Sequence, residues 1–283
     1  MARTRRGAGD PAASAPHVTL VSDDRGGVTI VLDGSPQSHV QLSDPGLLAF
    51  EYVQHLALVL DTLPGGPIAV THVGGAGMTL PRYVEHTRPG SPQIVLEPDA
   101  ALTELVRREL PLPRQHRIRV RPTDGLTGTA ALGDDSADAL VLDAYAVGRV
   151  PAELTTVDYL RDVARVLRPG GIALLNLADE PGMRYVTRVL ASFRDVGAFG
   201  ALALVATQDV LKGRRFGNVV VAASRGGELD IAGLARSVAR ASFPTGVRSG
   251  ADVTRMARSG RPFVEGDRAA SPVPPAAGAW RVR

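Results

Sequence analysis

THVGGAGMTL, residues 71–80, follows an apolar run and places three glycines within four positions. An apolar run that ends in such a turn is the strand-to-helix connection of an α/β sheet. Glycine lets the backbone turn tightly there and approach a ligand with no Cβ in the way. PIAVTHV, residues 67–73, therefore reads as a buried strand, and a helix runs on through Tyr83. Met78 stands where a loop of this type commonly carries a polar or acidic residue.

The same pattern extends outward from the loop. SPQIVLEPD, HRIRVRPTDG, ADALVLDAYA, GIALLNLAD, ALALVATQ and NVVVAAS read as six further strands. They are short apolar runs, as expected when both faces of a sheet are covered. Between them, AALTELVRREL, LTTVDYLRDVARVLRPGG and MRYVTRVLASF have apolar residues at helical spacing, and LDIAGLARSVARAS closes the series. Alternation of this kind predicts a doubly wound, Rossmann-like seven-stranded sheet, mostly parallel. The last two strands have little room for a helix between them, which predicts an antiparallel edge.

Upstream, HVTLVSD and VTIVLDG flank DRGG and read as a β-hairpin. A helix is expected from about Pro45 to Leu60. The domain plan is a disordered tail at 1–16, a β-hairpin region at 17–44, the nucleotide-binding domain at 45–242, and a largely disordered tail at 243–283.

Composition narrows the classes. The 283 residues hold no Cys, so disulfides and thiolate metal sites are excluded. Net charge is +3, with 32 basic against 29 acidic residues, and aromatics are 4%, too few for stacking platforms on single-stranded nucleic acid. Lys212 is the only lysine. The basic opening lacks an apolar signal core, and no run reaches membrane-spanning length. The expectation is a cytoplasmic protein without nucleic-acid or membrane partners. The histidines show no metal-ligand spacing, so no metal is expected; His72, at a strand end, is the one placed to approach a ligand.

Ligands of such sheets sit at the carboxyl ends of the strands. Gly74, Gly75 and Gly77 follow the first strand, Glu97 and Asp99 end the second, and Asp124 and Gly125 follow the third. Asp143 and Tyr145 end the fourth, with Asn176 and Asp179 at the fifth. An acid about twenty residues beyond the glycine loop suits a ribose diol, and Glu97 has that spacing. Asp124 suits an adenine amino group or, alternatively, a turn before Gly125. Asp99 reads as a helix cap. Together these positions suit an adenosyl ligand.

VLDGSPQSHVQLSDP, THVGGAG, IVLEPD, TDG, ALVLDAYAVGRVPAELTTVDYLRDVARVLRPGGI and GRRFGNVVVAAS, in that order, resemble the spermidine synthase family, and more closely its actinobacterial spermidine-synthase-like branch. The resemblance implies an N-terminal β region on a class I methyltransferase-like domain, and a homodimer. It implies S-adenosylmethionine or its decarboxylated form as donor and a small-molecule acceptor, such as an amine. By the same resemblance Gln37 lies over the nucleoside, Glu97 holds the ribose, and Asp124 meets the adenine. Asp143 takes a proton from the attacking amine, with Tyr145 beside it.

Two departures bear on the reaction. The family's glycine loop usually carries an Asp that grips the donor's aminopropyl ammonium, and Gly77 stands there. The second acid of the family's D-x-x-D falls on Ala146, with Glu51 as the acid that could compensate. Loss of these charges leans the expectation toward a methyltransferase-like or divergent transfer. True aminopropyl transfer and a non-catalytic nucleotide-binding protein are the alternatives.

Overall fold

In the computed structural model, which describes residues 18–267 and 269–275, the chain builds two sheets. The smaller is an antiparallel meander of β1 (Val18–Ser22), β2 (Gly27–Leu32) and β3 (Ser35–Gln41). The hairpin expected from the sequence thus gains a third strand. SPQSHVQ is polar and carries Pro36, which a central strand would exclude. Pro36 sits on the outer strand beside a register shift at Ile30 and Val31, where the missing N–H costs no ladder bond.

After α1 (Glu51–Leu60), the main sheet follows: β4 (Val70–Val73), α2 (Thr79–Thr87), β5 (Gln93–Leu96), α3 (Ala100–Glu109), β6 (Ile118–Arg121), α4 (Gly125–Ala130) and β7 (Ala137–Leu142). Then come α5 (Val157–Val166), β8 (Leu167–Asp179), α6 (Arg184–Val196), β9 (Phe199–Thr207), α7 (Gln208–Leu211), β10 (Gly217–Arg225), α8 (Ile231–Val238), β11 (Thr245–Ser249) and α9 (Ala251–Ser259). The sheet has eight strands in the order β11-β9-β10-β8-β7-β4-β5-β6. From β6 to β8 the pairings are parallel; β10, β9 and β11 extend it antiparallel. Strand order reverses between β4 and β7, which opens a crevice at their carboxyl ends.

Valine, leucine and alanine fill both faces of the central strands. Leu140, Leu142, Leu175 and Leu177 are fully covered by α5 and α6 on one side. Val141, Leu174, Val205 and Val220 face α1 and α8 on the other. Met78 is 2% exposed and joins a third cluster with Ile30, Val40, Val95 and Leu102. The side chain that looked odd in the glycine loop is therefore the apolar pin that fastens the N-terminal sheet to β5 and α3.

The tail expected to be disordered from 243 onward is mostly built into the fold. Thr245–Ser249 adds an eighth strand, and Ala251–Ser259 forms a helix packed on α6. From there to residue 275 the described residues have no regular structure, as their prolines and glycines dictate, yet the segment is anchored. Phe263 is 1% exposed, its ring 5.2 Å from Tyr185 and 3.8 Å from the Arg188 guanidinium. Its amide donates to Ser192 Oγ and its carbonyl accepts from Val157 N, both at 2.9 Å. Ser271, also buried, accepts from Val150 N at 2.9 Å. A short-range reading weighs composition and has no access to these long-range anchors. The tail expected at 1–16 lies outside the described residues.

Phe263→Ala should lower unfolding free energy by about 3–5 kcal/mol in urea titration, the cost of emptying a buried aromatic site. A passive tail would show a change below about 0.5 kcal/mol.

Candidate active site

The glycine loop is held by hydrogen bonds from two sides. Gly74, at φ +85°, closes on the end of β7: a Cβ there would lie 2.3 Å from the Asp143 carbonyl oxygen. Glu97, at the end of β5, accepts from Gly75 N at 3.1 Å and Ala76 N at 3.3 Å through Oε2. Its Oε1 accepts from Asp99 N at 3.0 Å. Beneath the loop, the buried Arg82 guanidinium donates to the carbonyls of Gly77, Leu110 and Pro111. Burial lowers its pKa to about 10.

A cavity of about 340 Å³ opens above these strand ends. Gln37, Gly74, Gly75, Glu97, Asp124, Gly125, Asp143 and Tyr145 all line it, as do Tyr52 and His72. Most of the sequence-derived site thus comes together in one place, although Asn176 and Asp179 are not among the lining residues. Gly77 is not in the wall. A Cβ on it would meet Ile30 at 2.7 Å, Ser38 at 2.8 Å and Val40 at 2.9 Å, so it marks where the loop touches the N-terminal sheet. An acid at this position would be driven into that sheet instead of reaching a ligand.

Three acids have local tasks as well. Asp99 caps α3 by accepting from Leu102 N at 2.8 Å, as its position suggested. Asp124 caps α4, accepting from Thr127 N at 2.7 Å, and this bond holds its carboxyl below the usual range. Glu51 is paired with Arg215 at 3.1 Å and lies outside the cavity wall. It is not the compensating acid that the sequence left open. His72 Nε2 and Gln93 Oε1 are 2.9 Å apart, and burial lowers the His72 pKa to about 4, so the ring is neutral near pH 7.

Asp143 sits at the centre of a polar network. Its Oδ1 accepts from Asn176 Nδ2 at 2.8 Å, and Asn176 Oδ1 accepts from Asn218 Nδ2 at 3.0 Å. Tyr145 Oη donates to the Asn176 carbonyl at 3.2 Å and accepts from Asn218 at 3.4 Å. Burial raises the Asp143 pKa to about 6, against the lowering effect of the Asn176 bond. Burial and then the nearby Asp143 charge push the Tyr145 and Tyr52 phenols well above their ordinary range, so both stay protonated. Sequence reading missed Asn218. It lies in an apolar strand, and only the antiparallel pairing of β10 with β8 carries it beside Asn176.

The wall is one-signed. Glu97, Asp99, Asp124, Asp143 and Glu153 line the cavity, and among the described residues no Arg or Lys does. Such a surface favours cationic ligands. Among the described residues, no group of three or more His, Asp or Glu side chains could hold a metal ion. No described helix is long and apolar enough to cross a membrane.

A mixed sheet with its crevice between β4 and β7 defines a Rossmann-like fold of the class I methyltransferase type. No protein-family model matches the chain, and no curated protein matches it. Among solved structures, a probable spermidine synthase from Corynebacterium glutamicum is similar at 26% identity over 93% of this chain and 98% of its own, with a TM-score of 0.81. Spermidine synthase from Thermotoga maritima shares 16% identity over 82% of this chain and 76% of its own, TM-score 0.57. Human methyltransferase-like protein 13, in complex with SAH, shares 20% over 77% of this chain and 97% of its own, TM-score 0.55. The resemblance to spermidine synthases read from the motifs holds across nearly the whole fold. The last two comparisons speak to the fold alone.

Two outcomes follow. Gly77→Asp should destabilise the chain by about 2 kcal/mol or more in urea titration, since the side chain overpacks the N-terminal sheet. Asp143→Asn should show a pH-dependent gain. The folded carboxyl, at about 6, binds its proton more tightly than the unfolded one at 3.8, so wild-type stability falls as pH rises from about 4 to 6. Thermal and urea melts should therefore find the variant more stable by about 1–2 kcal/mol above pH 6.5 and no different near pH 3.5.

Proposed function

We propose that the cavity binds an adenosyl sulfonium donor and transfers a carbon group from it to an amine. The observation that carries this reading is a wall of five carboxylates with no Arg or Lys among the described residues, one of the five being the buried Asp143, whose pKa is about 6. A sulfonium and an amine are both cationic in solution, and the wall attracts both. The bound amine must lose its proton to water before it attacks. Its lone pair forms the new bond to carbon, the carbon–sulfur bond breaks, and its electrons neutralise the sulfonium as a thioether. The resulting ammonium then passes a proton to Asp143, which Asn176 holds in place. Glu97 is placed for the ribose hydroxyls. Bonded to Gly75 and Ala76, it keeps the loop open beneath them.

Charge also bears on which donor fits. S-adenosylmethionine carries a carboxylate that would face carboxylates, and the amides of Gly75 and Ala76 are already given to Glu97. Decarboxylated S-adenosylmethionine ends in an ammonium instead. The cavity thus weighs for the decarboxylated donor and aminopropyl transfer, against the lean that the missing loop acid suggested. Ala146 leaves one of the acids expected for a polyamine chain absent, so the acceptor in this reading is a shorter or less charged amine.

Calorimetry with each donor tests the assignment. The decarboxylated donor should bind at least tenfold more tightly than S-adenosylmethionine, and Glu97→Ala should weaken it at least tenfold. Asp143→Asn should keep donor affinity within a few-fold and lose turnover. Preference for S-adenosylmethionine would restore the methyl-transfer reading. Failure of both donors to bind would overturn the site.

A further inference from the structure

The sheet has a second cavity, of about 520 Å³, at the opposite end of the same strands. Its origin is local. The crossover helix α4 has only six residues and ends at Ala130, with Gly128 packed on Leu96. It covers the upper row of β4 and β5 and leaves the lower row open. Register puts Thr71, Ile94 and Arg119 in that lower row, on the face shared with Leu140. The floor is therefore the sheet face itself, with Leu132 at one side.

Its charge is the reverse of the first cavity. Arg117, Arg119 and Arg121 project to one face of β6, two residues apart, so successive guanidiniums leave the strand about 6.6 Å from each other. Arg168 and His116 complete the basic lining, and among the described residues no Asp or Glu lines this cavity. Arg168 is already paired with Asp138. Arg119 and Arg121 are exposed, and among the described residues their side chains have neither an ion-pair nor a hydrogen-bond partner. Arg165 and Arg225, by contrast, are paired with acids. Arg117 donates to the Gly90 carbonyl at 3.3 Å, which leaves Arg119 and Arg121 as the guanidiniums of the row open to a ligand.

We infer that this groove is a binding site for a small molecule bearing two or more phosphate groups. Guanidinium forks match phosphate oxygens two at a time, and a row of them suits several phosphates in sequence. The cavity has small-molecule size. Because its floor runs across β4 and β5, the ligand lies on the sheet and not along the free edge of β6, with Ile94 and Thr71 beneath it. The groove is separate from the carboxylate-lined cavity, and it stands whether or not the transferase reading does.

Inorganic tripolyphosphate is the probe. Calorimetry on the full chain, at matched ionic strength near 0.15 M, should give one saturable site. The double variant R119A/R121A should weaken binding at least tenfold, while Arg236→Ala, on the exposed face of α8, should stay within twofold. R119Q/R121Q repeats the measurement should alanine at the sheet edge make the chain associate in gel filtration. The proposal is overturned by absence of saturable binding, by equal loss in the Arg236 variant, or by equal binding of monophosphate. It is also overturned if a single-stranded RNA decamer binds more tightly and depends on the same arginines, which would make the partner a nucleic acid. Self-association of both double variants, with no tripolyphosphate binding by wild type, would reduce the arginines to guards of a free sheet edge.

Discussion

The carboxyl ends of β4 and β7 meet with no side chain between them. Gly74 backs onto the Asp143 carbonyl so closely that any Cβ would collide with it. Backbone bonds lock this contact: Asp143 N donates to Val73 O and Gly74 N donates to Leu96 O, both at 2.9 Å. Three strand ends are thus fixed in one row, and the loops leaving them diverge from a common line. The crevice, the aim of the Asp143 carboxylate and the reach of Glu97 back to the glycine loop all follow from that row. A larger residue at 74 would open a gap at the one place where strand order reverses.

Gathering five acids on one wall raises the free energy of the fold, and the chain divides the burden unequally. Glu97 accepts three backbone N–H groups, and Asp99 and Asp124 each cap a helix. For Asp124 the bond from Thr127 N holds the carboxyl below its ordinary range. Asp143 accepts from a side chain, Asn176, and burial raises its pKa to about 6. Acids that shape the site and an acid suited to exchanging a proton are thereby separated within a single cavity. The basic groove shows a similar partition at larger scale, with arginines along β6 lining one cavity and carboxylates lining the other.

Most of the architecture was legible because local pattern and global role agree. Apolar runs such as VTHV and ALVL are buried strands, and the acid and glycine positions at their ends converge as the topology requires. Failures came where a residue's role is set by a distant partner. Gly77 reads as part of a ligand loop, yet Ile30, Ser38 and Val40 fix its use. Asn218 is an unremarked polar residue until β8 is laid beside it. SPQSHVQ lacks the pattern of a strand because its pairing tolerates a bulge at Pro36. The C-terminal region resembles linker in composition and is anchored by Phe263 and Ser271, against helices formed long before it in the chain.

That last anchor governs when the site is finished. Val150, on the rim beside Tyr145 and Ala146, gives its amide to Ser271, 121 residues later. A nascent chain can pair β4 through β8 and bring Asp143 to its strand end while the remainder is still being translated. The rim cannot close until Ser271 has left the ribosome. The Val150 anchor therefore forms only after β11 and α9 have been made, later than every strand that carries a lining residue of the cavity.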